Sequence, residues 1–197
     1  MATQDDATVV RAALTDPASF GVLFDRHFAV VYRFCERRVG RSMAEDLAGE
    51  TFRRAFEGRH SYDLSRPSAL PWLYRIALNL VRDALRARAV EDRAYARLHA
   101  LAGAGWPSEN DQAQRRAEAR ADLAVLARLL LAEPQQDVEA LFLHVWDGLS
   151  YLDVAAALGV PVGTVRSRLS RLRQRLEEGL GALGTGSPPM RPKEREQ

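Results

Sequence analysis

The sequence predicts an all-α protein: two small helical domains joined by a flexible linker, with a helix-turn-helix in the second domain. The alternation of apolar and polar residues typical of strands is missing, Ala, Leu, Arg and Glu are abundant, and apolar residues recur at helical spacing. Residues 91–120 mix alanine, arginine and acids around the interrupting sequence GAGWPSEN. We therefore assign residues 1–90 to a first domain, 91–120 to a linker with partial helix, 121–182 to a second domain and 183–197 to a disordered tail.

Two helices are expected early in the first domain. Residues 18–38 place His27 and Cys35 on the same apolar face as several phenylalanines, so both side chains are expected in the core. Ser42 and Glu45 have the spacing of a capping box, which predicts that a second helix begins there.

A loop and a long helix complete the first domain. Residues 58–68 are rich in Gly, Ser, Asp and Pro, as loops are, and a helix is expected from about Ser68 to Ala89. Pro71 is tolerated in its first turn, where a backbone N–H has no partner within the helix. One face of this helix is apolar, and the other carries an aromatic ring, an amide and charges: Trp72, Arg75, Asn79, Arg82, Asp83 and Arg86.

This polar face has two interpretations. Basic residues, an amide and an aromatic ring are groups that can follow a phosphate backbone and hold unstacked bases. The preceding loop adds side chains suited to a pocket for an extruded base: Tyr62, Asp63 and Arg66. Alternatively, Trp72 belongs to the core and the arginines form an ordinary solvated face.

The second domain contains the strongest local signal, a helix-turn-helix at residues 148–176. Ser150 and Asp153 form a capping box, Gly159 stands where a helix ends in a left-handed conformation, and Pro161 precedes the second helix. The second helix has an apolar stripe and a polar face without acids, which suits the major groove better than a merely solvated hairpin. This face consists of Thr164, Arg166, Ser167, Arg168, Ser170, Arg171, Arg173 and Arg175.

Three motifs together resemble the extracytoplasmic-function (ECF) sigma factors of bacterial RNA polymerase. AEDLAGETFRRAF (44–56) resembles their polymerase-docking helix, WLYRIALNLVRDALR (72–86) resembles their −10 recognition helix, and residues 148–176 resemble their −35-reading helix-turn-helix. The resemblance implies a cytoplasmic protein that binds core RNA polymerase, at the clamp of the β′ subunit and the flap of the β subunit, and directs it to promoter DNA. It also implies an anti-sigma factor as a candidate partner.

The resemblance assigns roles to individual positions. The polymerase clamp would meet Asp46, Glu50, Thr51 and Phe52. Asn79 would face the melted −10 strand, and the loop of residues 60–70 would capture a flipped base. The −35 bases would meet Arg166, Ser167, Ser170 and Arg171, whereas Arg168, Arg173 and Arg175 flank that face and suit phosphates. Pro67 and Ala69 depart from the glycine and aromatic residue common in the family loop.

Other functional classes find little support in the sequence. The net charge is only +2, so attraction to nucleic acid must come from local patches. A single cysteine excludes an intramolecular disulfide. Scattered histidines, and the lack of phosphate-binding or nucleophile motifs, predict no catalytic residue, metal or cofactor. No signal peptide or membrane span is expected. The main alternative is a helix-turn-helix transcriptional regulator that binds an operator without joining polymerase.

Overall fold

The computed structural model describes residues 4–102, 126 and 128–182, and every regular element in these ranges is a helix. In the first domain, short 3₁₀ turns at Pro17–Phe20 and Arg59–Ser61 accompany four α-helices. These helices are α1 (Asp6–Ala13), α2 (Gly21–Val39), α3 (Arg41–Glu57) and α4 (Leu70–Ala102). The all-helical prediction is confirmed for the part of the chain that the structure describes.

Two predicted boundaries in the first domain are wrong. Helix α3 begins at Arg41, directly after Gly40 with a φ of 81°, so Ser42 lies inside the first turn and forms no capping box. The left-handed glycine turns the chain sharply enough to start the helix without a side-chain cap. Helix α4 continues past residue 89 to Ala102, well into the predicted linker. The rest of the linker and the tail at 183–197 lie outside the described residues.

The core of the first domain forms where α2, α3 and α4 pack together. Its largest fully buried side chains are Leu23, Val31, Phe34, Leu73, Tyr74 and Leu78. The predicted burial of His27 and Cys35 is confirmed. Burial raises the pKa of the Cys35 thiol to about 11, so this cysteine is protonated and unreactive at neutral pH.

The second domain is a compact group of short helices around one apolar centre. After helical residues 128–132 come α5 (Gln135–Val145), α6 (Tyr151–Leu158) and α7 (Val162–Ala182). Its centre is formed by side chains from all three helices and the connection between them: Ala140, Leu143, Leu149, Val154, Val165, Leu169 and Leu172. Each large apolar side chain buried in this way contributes about 1.5–3 kcal/mol.

The two domains pack directly against each other, an arrangement that the sequence does not predict. Helix α4 of the first domain contacts α6 of the second. Two groups of ion pairs accompany this contact: Arg37 and Arg38 with Asp147, and Arg82 with Glu139. None of the described helices is long and apolar enough to cross a membrane.

Candidate nucleic-acid and polymerase interfaces

The turn of the helix-turn-helix is built by local hydrogen bonds, as the sequence predicts. Ser150 Oγ accepts from the Asp153 N–H at 3.2 Å and donates to its carboxylate at 2.7 Å. Gly159 has a φ of 69°, and the Val160 N–H reaches back to the Ala155 carbonyl at 3.0 Å. This pattern closes a helix with a Schellman-type turn. The angle between α6 and α7 is therefore set by backbone geometry that the sequence encodes locally.

Helix α7 presents the predicted basic face to solvent. Val165, Leu169 and Leu172 are buried on one side. The opposite side exposes guanidinium and hydroxyl groups, which can hydrogen bond to base edges and phosphates. The exposed residues are Arg166, Ser167, Ser170, Arg171 and Arg173. Within the described residues, Arg166 and Arg173 form no ion pair, and Thr164 is half-buried at the start of the helix.

Two arginines of this face pair with acidic side chains of their own domain. Arg175 donates to Glu133 at 2.6 Å and to Asp137 at 2.9 Å. Arg168 donates to Gln136 at 2.6 Å and lies 3.7 Å from the Asp137 carboxylate. Because carboxylates of the preceding segment already neutralise them, these two side chains fasten α7 to its own domain. Of the three predicted phosphate contacts, only Arg173 is unpaired in the described structure.

The loop before α4 forms an aromatic corner with the start of that helix. The rings of Tyr62 and Trp72 lie 5.1 Å apart, and the Tyr62 hydroxyl donates to the Arg66 carbonyl at 2.6 Å. Burial raises the pKa of Tyr62 to about 12, so the hydroxyl stays a donor. Tyr62 is buried, whereas Trp72 is half-exposed. Asp63 and Arg66 are exposed at the loop surface.

Further along α4, part of the predicted −10 surface faces the second domain. Arg82 forms a two-pronged ion pair with Glu139 of α5, and the Arg75 guanidinium lies against Gly159 at the end of α6. Asn79 is exposed between them. Asp83 and Arg86 are exposed too and pair with each other. Most of the predicted stripe is thus exposed, whereas Trp72 and Arg82 are half-buried.

The predicted docking helix α3 needs a correction. Thr51 is fully buried, with its hydroxyl donating to the Leu47 carbonyl at 2.7 Å, and Phe52 is buried among aromatic rings. These two side chains cannot present themselves to a partner, because the inward face of α3 packs on α2 and α4. Asp46 is exposed and Glu50 is half-exposed. Two of the four predicted contacts thus remain on the surface.

Glu50 is strongly ionised within an arginine cluster on α3. Its carboxylate accepts from Arg53 at 2.6 and 2.7 Å and from Arg54 at 2.7 Å. Hydrogen bonds from these two guanidinium groups lower the pKa of Glu50 to about 2. The surface of α3 is therefore a mixed charged patch, which suits a partner that also carries both signs of charge.

The second domain has an exposed apolar area that the sequence analysis did not identify. Trp146 is 63% exposed and stacks on Phe142 at a ring separation of 4.3 Å. Beside it, a cavity of about 150 Å³ opens between α5 and α7. Its apolar lining comes from Leu141, Val145, Leu169, Leu176 and Leu180. Exposed apolar surface of this kind is typical of protein contacts.

A buried carboxylate between the domains also escaped sequence reasoning. The Asp147 side chain is 0% exposed and pairs with both Arg37 and Arg38 of α2. Burial lowers the pKa of Arg38, which also lies over the Phe34 ring at 3.7 Å. No local pattern identifies such a residue, because its partners are more than a hundred residues away. Within the described residues, no cluster of His, Cys, Asp and Glu is arranged to hold a metal ion.

Comparison with known protein families assigns both halves of the chain. Residues 23–90 match the family described as Sigma-70 region 2, and residues 125–176 match Sigma-70, region 4. The two matched segments correspond to the two helical domains, and their order along the chain is that of the motifs in the sequence.

Relatives extend this similarity over most of the chain. ECF RNA polymerase sigma factor SigW of Bacillus subtilis is 30% identical over 173 residues, which cover 85% of this chain and 92% of the relative. SigC of Mycobacterium tuberculosis, another ECF RNA polymerase sigma factor, is 32% identical over 176 residues, covering 87% and 91%. SigE of Mycolicibacterium smegmatis is 35% identical over 178 residues, covering 89% and 65%.

Two solved structures share the fold. CnrH in complex with the cytosolic domain of CnrY matches with a TM-score of 0.60 and 25% identity, covering 90% of this chain and 97% of that one. The sigma factor RpoE of Bartonella quintana, in complex with the anti-sigma factor NepR, matches with a TM-score of 0.54 and 25% identity, covering 82% and 96%.

Proposed function

The chain belongs to the ECF branch of the RNA polymerase sigma factors, and we propose that it binds core RNA polymerase and brings it to promoters by contacting two DNA elements. The observation that supports this most directly is the presence of both sigma regions in one chain, the second of which exposes the basic face of α7. An operator-binding regulator would leave unexplained why residues 23–90 match Sigma-70 region 2.

The second domain would read the −35 element in the major groove. In the described part of the chain, the exposed face of α7 forms no ion pair at Arg166 or Arg171, and Ser167 and Ser170 lie on the same face. An arginine guanidinium can donate two hydrogen bonds to O6 and N7 of guanine, and each good bidentate contact discriminates against the wrong base by about 1–3 kcal/mol. Arg173 would contact a phosphate, whereas Arg168 and Arg175 would hold the helix rigid behind this face.

The first domain would engage the −10 element as a single strand. Trp72 and Tyr62 form an aromatic corner at the loop, and Asn79 is exposed along the same helix, where its Oδ1 accepts from Arg82 at 3.5 Å. Base–aromatic stacking is worth about 1–3 kcal/mol per base, which offsets part of the cost of unstacking the duplex. The energy for opening the promoter would come from such contacts, and we propose that the chain itself catalyses no reaction.

Two surfaces would bind the polymerase. The charged patch of α3, with Asp46 and Glu50, would meet the β′ clamp, and the exposed apolar area around Trp146 would meet the β flap. An anti-sigma factor would compete for these surfaces, as the complexes of the two similar structures suggest. We place this activity in the cytoplasm, where the relatives' polymerase works.

Promoter binding would require the two domains to separate. Arg75 and Arg82 belong to the proposed −10 surface, yet both lie against the second domain in this structure. Contacts with polymerase would replace the contacts between the domains, so that each domain could reach its own DNA element.

Association with core polymerase and run-off transcription test the proposal together. We expect the full-length chain to co-elute with purified core polymerase and to direct initiation from a subset of genomic fragments, with the start sites sharing two spaced motifs. Core polymerase alone and the chain alone are the controls, and neither should initiate at those sites. Binding to duplex DNA without any association with polymerase would overturn the proposal in favour of an operator-binding regulator.

A further inference from the structure

A buried carboxylate fastens the loop before α4 to the N-terminal helix α1. Asp6, the first residue of α1, is only 4% exposed. Its backbone N–H donates to the Pro67 carbonyl at 3.0 Å, and its Oδ2 accepts from the Ala69 N–H at 2.8 Å. Both partners lie at the end of the loop, directly before the helix that carries Trp72 and Asn79. One residue therefore holds the loop through two hydrogen bonds of opposite direction.

The carboxylate of Asp6 is itself held in place from the other side. His27 Nε2 lies 2.8 Å from Oδ2, and the guanidinium of Arg26 pairs with Oδ1. Burial alone would raise the pKa of Asp6, but the hydrogen bonds from His27, Ala69 and Arg26 outweigh it and bring the pKa below its usual value. The group is therefore a charged acceptor at neutral pH, and such hydrogen bonds are stronger than neutral ones.

The other end of α1 fastens the beginning of the loop. Arg59 Nε donates to the Ala13 carbonyl at 3.0 Å, and its Nη1 donates to the Phe56 carbonyl at 2.7 Å. The same guanidinium lies over the Phe56 ring at 4.2 Å. Helix α1 is thus bonded to both ends of the segment that joins α3 and α4.

The outer part of the loop depends on these anchors for its position. Its own hydrogen bonds are local: Tyr62 to the Arg66 carbonyl at 2.6 Å, and the Ser65 N–H to Asp63 Oδ1 at 3.0 Å. These bonds shape the loop, and the packing of the Tyr62 ring on Trp72 at 5.1 Å joins its outer part to α4, while the bonds to Asp6 and from Arg59 fix its two ends. A site that discriminates between ligands must be held within a fraction of an ångström, and groups behind the contact surface provide that rigidity.

We propose that Asp6 is a positioning residue for recognition of the melted −10 strand, acting through the loop of residues 62–69. This inference rests on the proposed function, since it assumes that the loop and Trp72 meet that strand. Asp6 is buried and does not itself touch DNA. Its effect is to keep the loop in one orientation before DNA arrives, so that binding does not have to order it.

The test compares Asp6→Asn with Asp5→Ala in full-length protein bound to core polymerase. Asp5 is the exposed N-cap of α1 and accepts from the Thr8 N–H at 2.8 Å, so its loss weakens the same helix without touching the loop. An amide has only one acceptor oxygen and cannot satisfy Ala69, His27 and Arg26 together. The readouts are association with core polymerase, permanganate reactivity of the melted strand, and transcription from a promoter and from its −10 substituted version.

Asp6→Asn is expected to keep polymerase association within about twofold and to lower promoter melting about tenfold. The preference for the native over the substituted −10 element should fall as well, which a general loss of folded protein would not cause. Asp5→Ala should leave that preference unchanged. Arg59→Met removes the second anchor while keeping its packing on Phe56, and it is expected to lower the same preference by about threefold.

The outcomes separate this inference from the proposed function. If the wild-type chain opens no promoter with core polymerase, the proposed function fails first. The positioning role is overturned if the wild type opens promoters and the Asp6→Asn variant prefers the native over the substituted −10 element as strongly as the wild type does. Loss of polymerase association together with melting would also overturn it, because Asp6 would then serve only the fold. Should Asp6→Asn not fold, an unchanged −10 preference in Arg59→Met overturns the role of α1 in positioning the loop.

Discussion

At the scale of single residues, arginines with the same appearance in the sequence have different tasks. Arg168 and Arg171 both lie on α7, three residues apart, and both belong to the predicted basic face. In the structure Arg168 is held by Gln136 and Asp137, whereas Arg171 is exposed and its Nε donates to the Ser167 carbonyl of its own helix at 3.2 Å. We therefore expect base recognition to depend more on Arg171 than on Arg168, whose guanidinium is already paired.

Arg171→Ala should therefore weaken promoter-specific transcription and leave polymerase binding intact. We expect a loss of about 1–3 kcal/mol in binding to −35 duplex DNA, measured by fluorescence anisotropy at fixed salt. Arg168→Ala is the matched control: it should lower the melting temperature of the protein more than Arg171→Ala does. Loss of polymerase binding in Arg171→Ala would contradict the assignment of this face to DNA.

Asn79 is exposed on α4, and we propose that it contacts the melted −10 strand. Asn79→Ala should reduce open-complex formation about tenfold, through loss of hydrogen bonds to an unstacked base, with little effect on −35 duplex binding. Permanganate footprinting measures the open complex. Arg88→Ala, an exposed change further along α4, serves as the control. Equal reactivity in the Asn79 variant and the wild type would remove Asn79 from the −10 surface.

At the scale of elements, local signals predict the helix-turn-helix well and the first domain less well. The Ser150 cap and the Gly159 turn form as predicted, because both depend on backbone groups within a few residues. The predicted cap at Ser42 fails because Gly40 starts the helix one residue earlier. Helix α4 extends past its predicted end at residue 89 because the alanine- and arginine-rich segment that follows has high helix propensity and contains no glycine or proline before Ala102.

Three glycines of the second domain give a test of this local encoding. Gly148 and Gly159 both have a φ of 69°, so replacing either with alanine should cost about 1–2 kcal/mol of stability. Gly163 lies inside α7 with open space around it, so Gly163→Ala should instead stabilise the protein by about 0.5–1 kcal/mol. Urea unfolding measures all three. A stabilised Gly159→Ala variant would show that the turn is not left-handed in solution.

At the scale of the whole molecule, the packing of one domain on the other bears directly on function. The contact places the Arg75 guanidinium against Gly159, pairs Arg82 with Glu139 and buries the side chain of Asp147. A buried carboxylate is tolerated only while its cationic partners stay in place. The contact between Asp147, Arg37 and Arg38 therefore favours the closed arrangement, and under the proposed function core polymerase would supply the binding energy that opens it.

Asp147→Asn should shift the free protein toward separated domains. Removing one partner of a buried ion pair costs about 3–5 kcal/mol, because Arg38 is left buried without its counter-charge. Small-angle X-ray scattering should show a larger radius of gyration than for the wild type. Glu178→Gln, which alters an exposed carboxylate bonded within its own helix, should leave the radius unchanged. An unchanged radius in Asp147→Asn would mean that the apolar contact alone holds the domains together.

Some residues of the candidate sites could be predicted from the local sequence pattern, whereas others depend on tertiary contacts. The basic face of α7 and the Trp72–Asn79 stripe are periodic features of the sequence, and the structure places both on helix surfaces. Thr51 and Phe52 were assigned to the docking surface by resemblance, yet the packing of α3 buries them. The role of Asp6 could not be predicted, because its partners come from α2 and from a loop about sixty residues away.

The sequence by itself determined the all-helical class, the two-domain order, the helix-turn-helix and the family, since each depends on helical periodicity, caps and short motifs. Only the tertiary structure decided which charged residues are available. Pairing of Arg168, Arg175 and Arg82 with distant carboxylates depends on how helices meet in space. Helical periodicity tells which way a side chain points from its own axis, but not what stands opposite it.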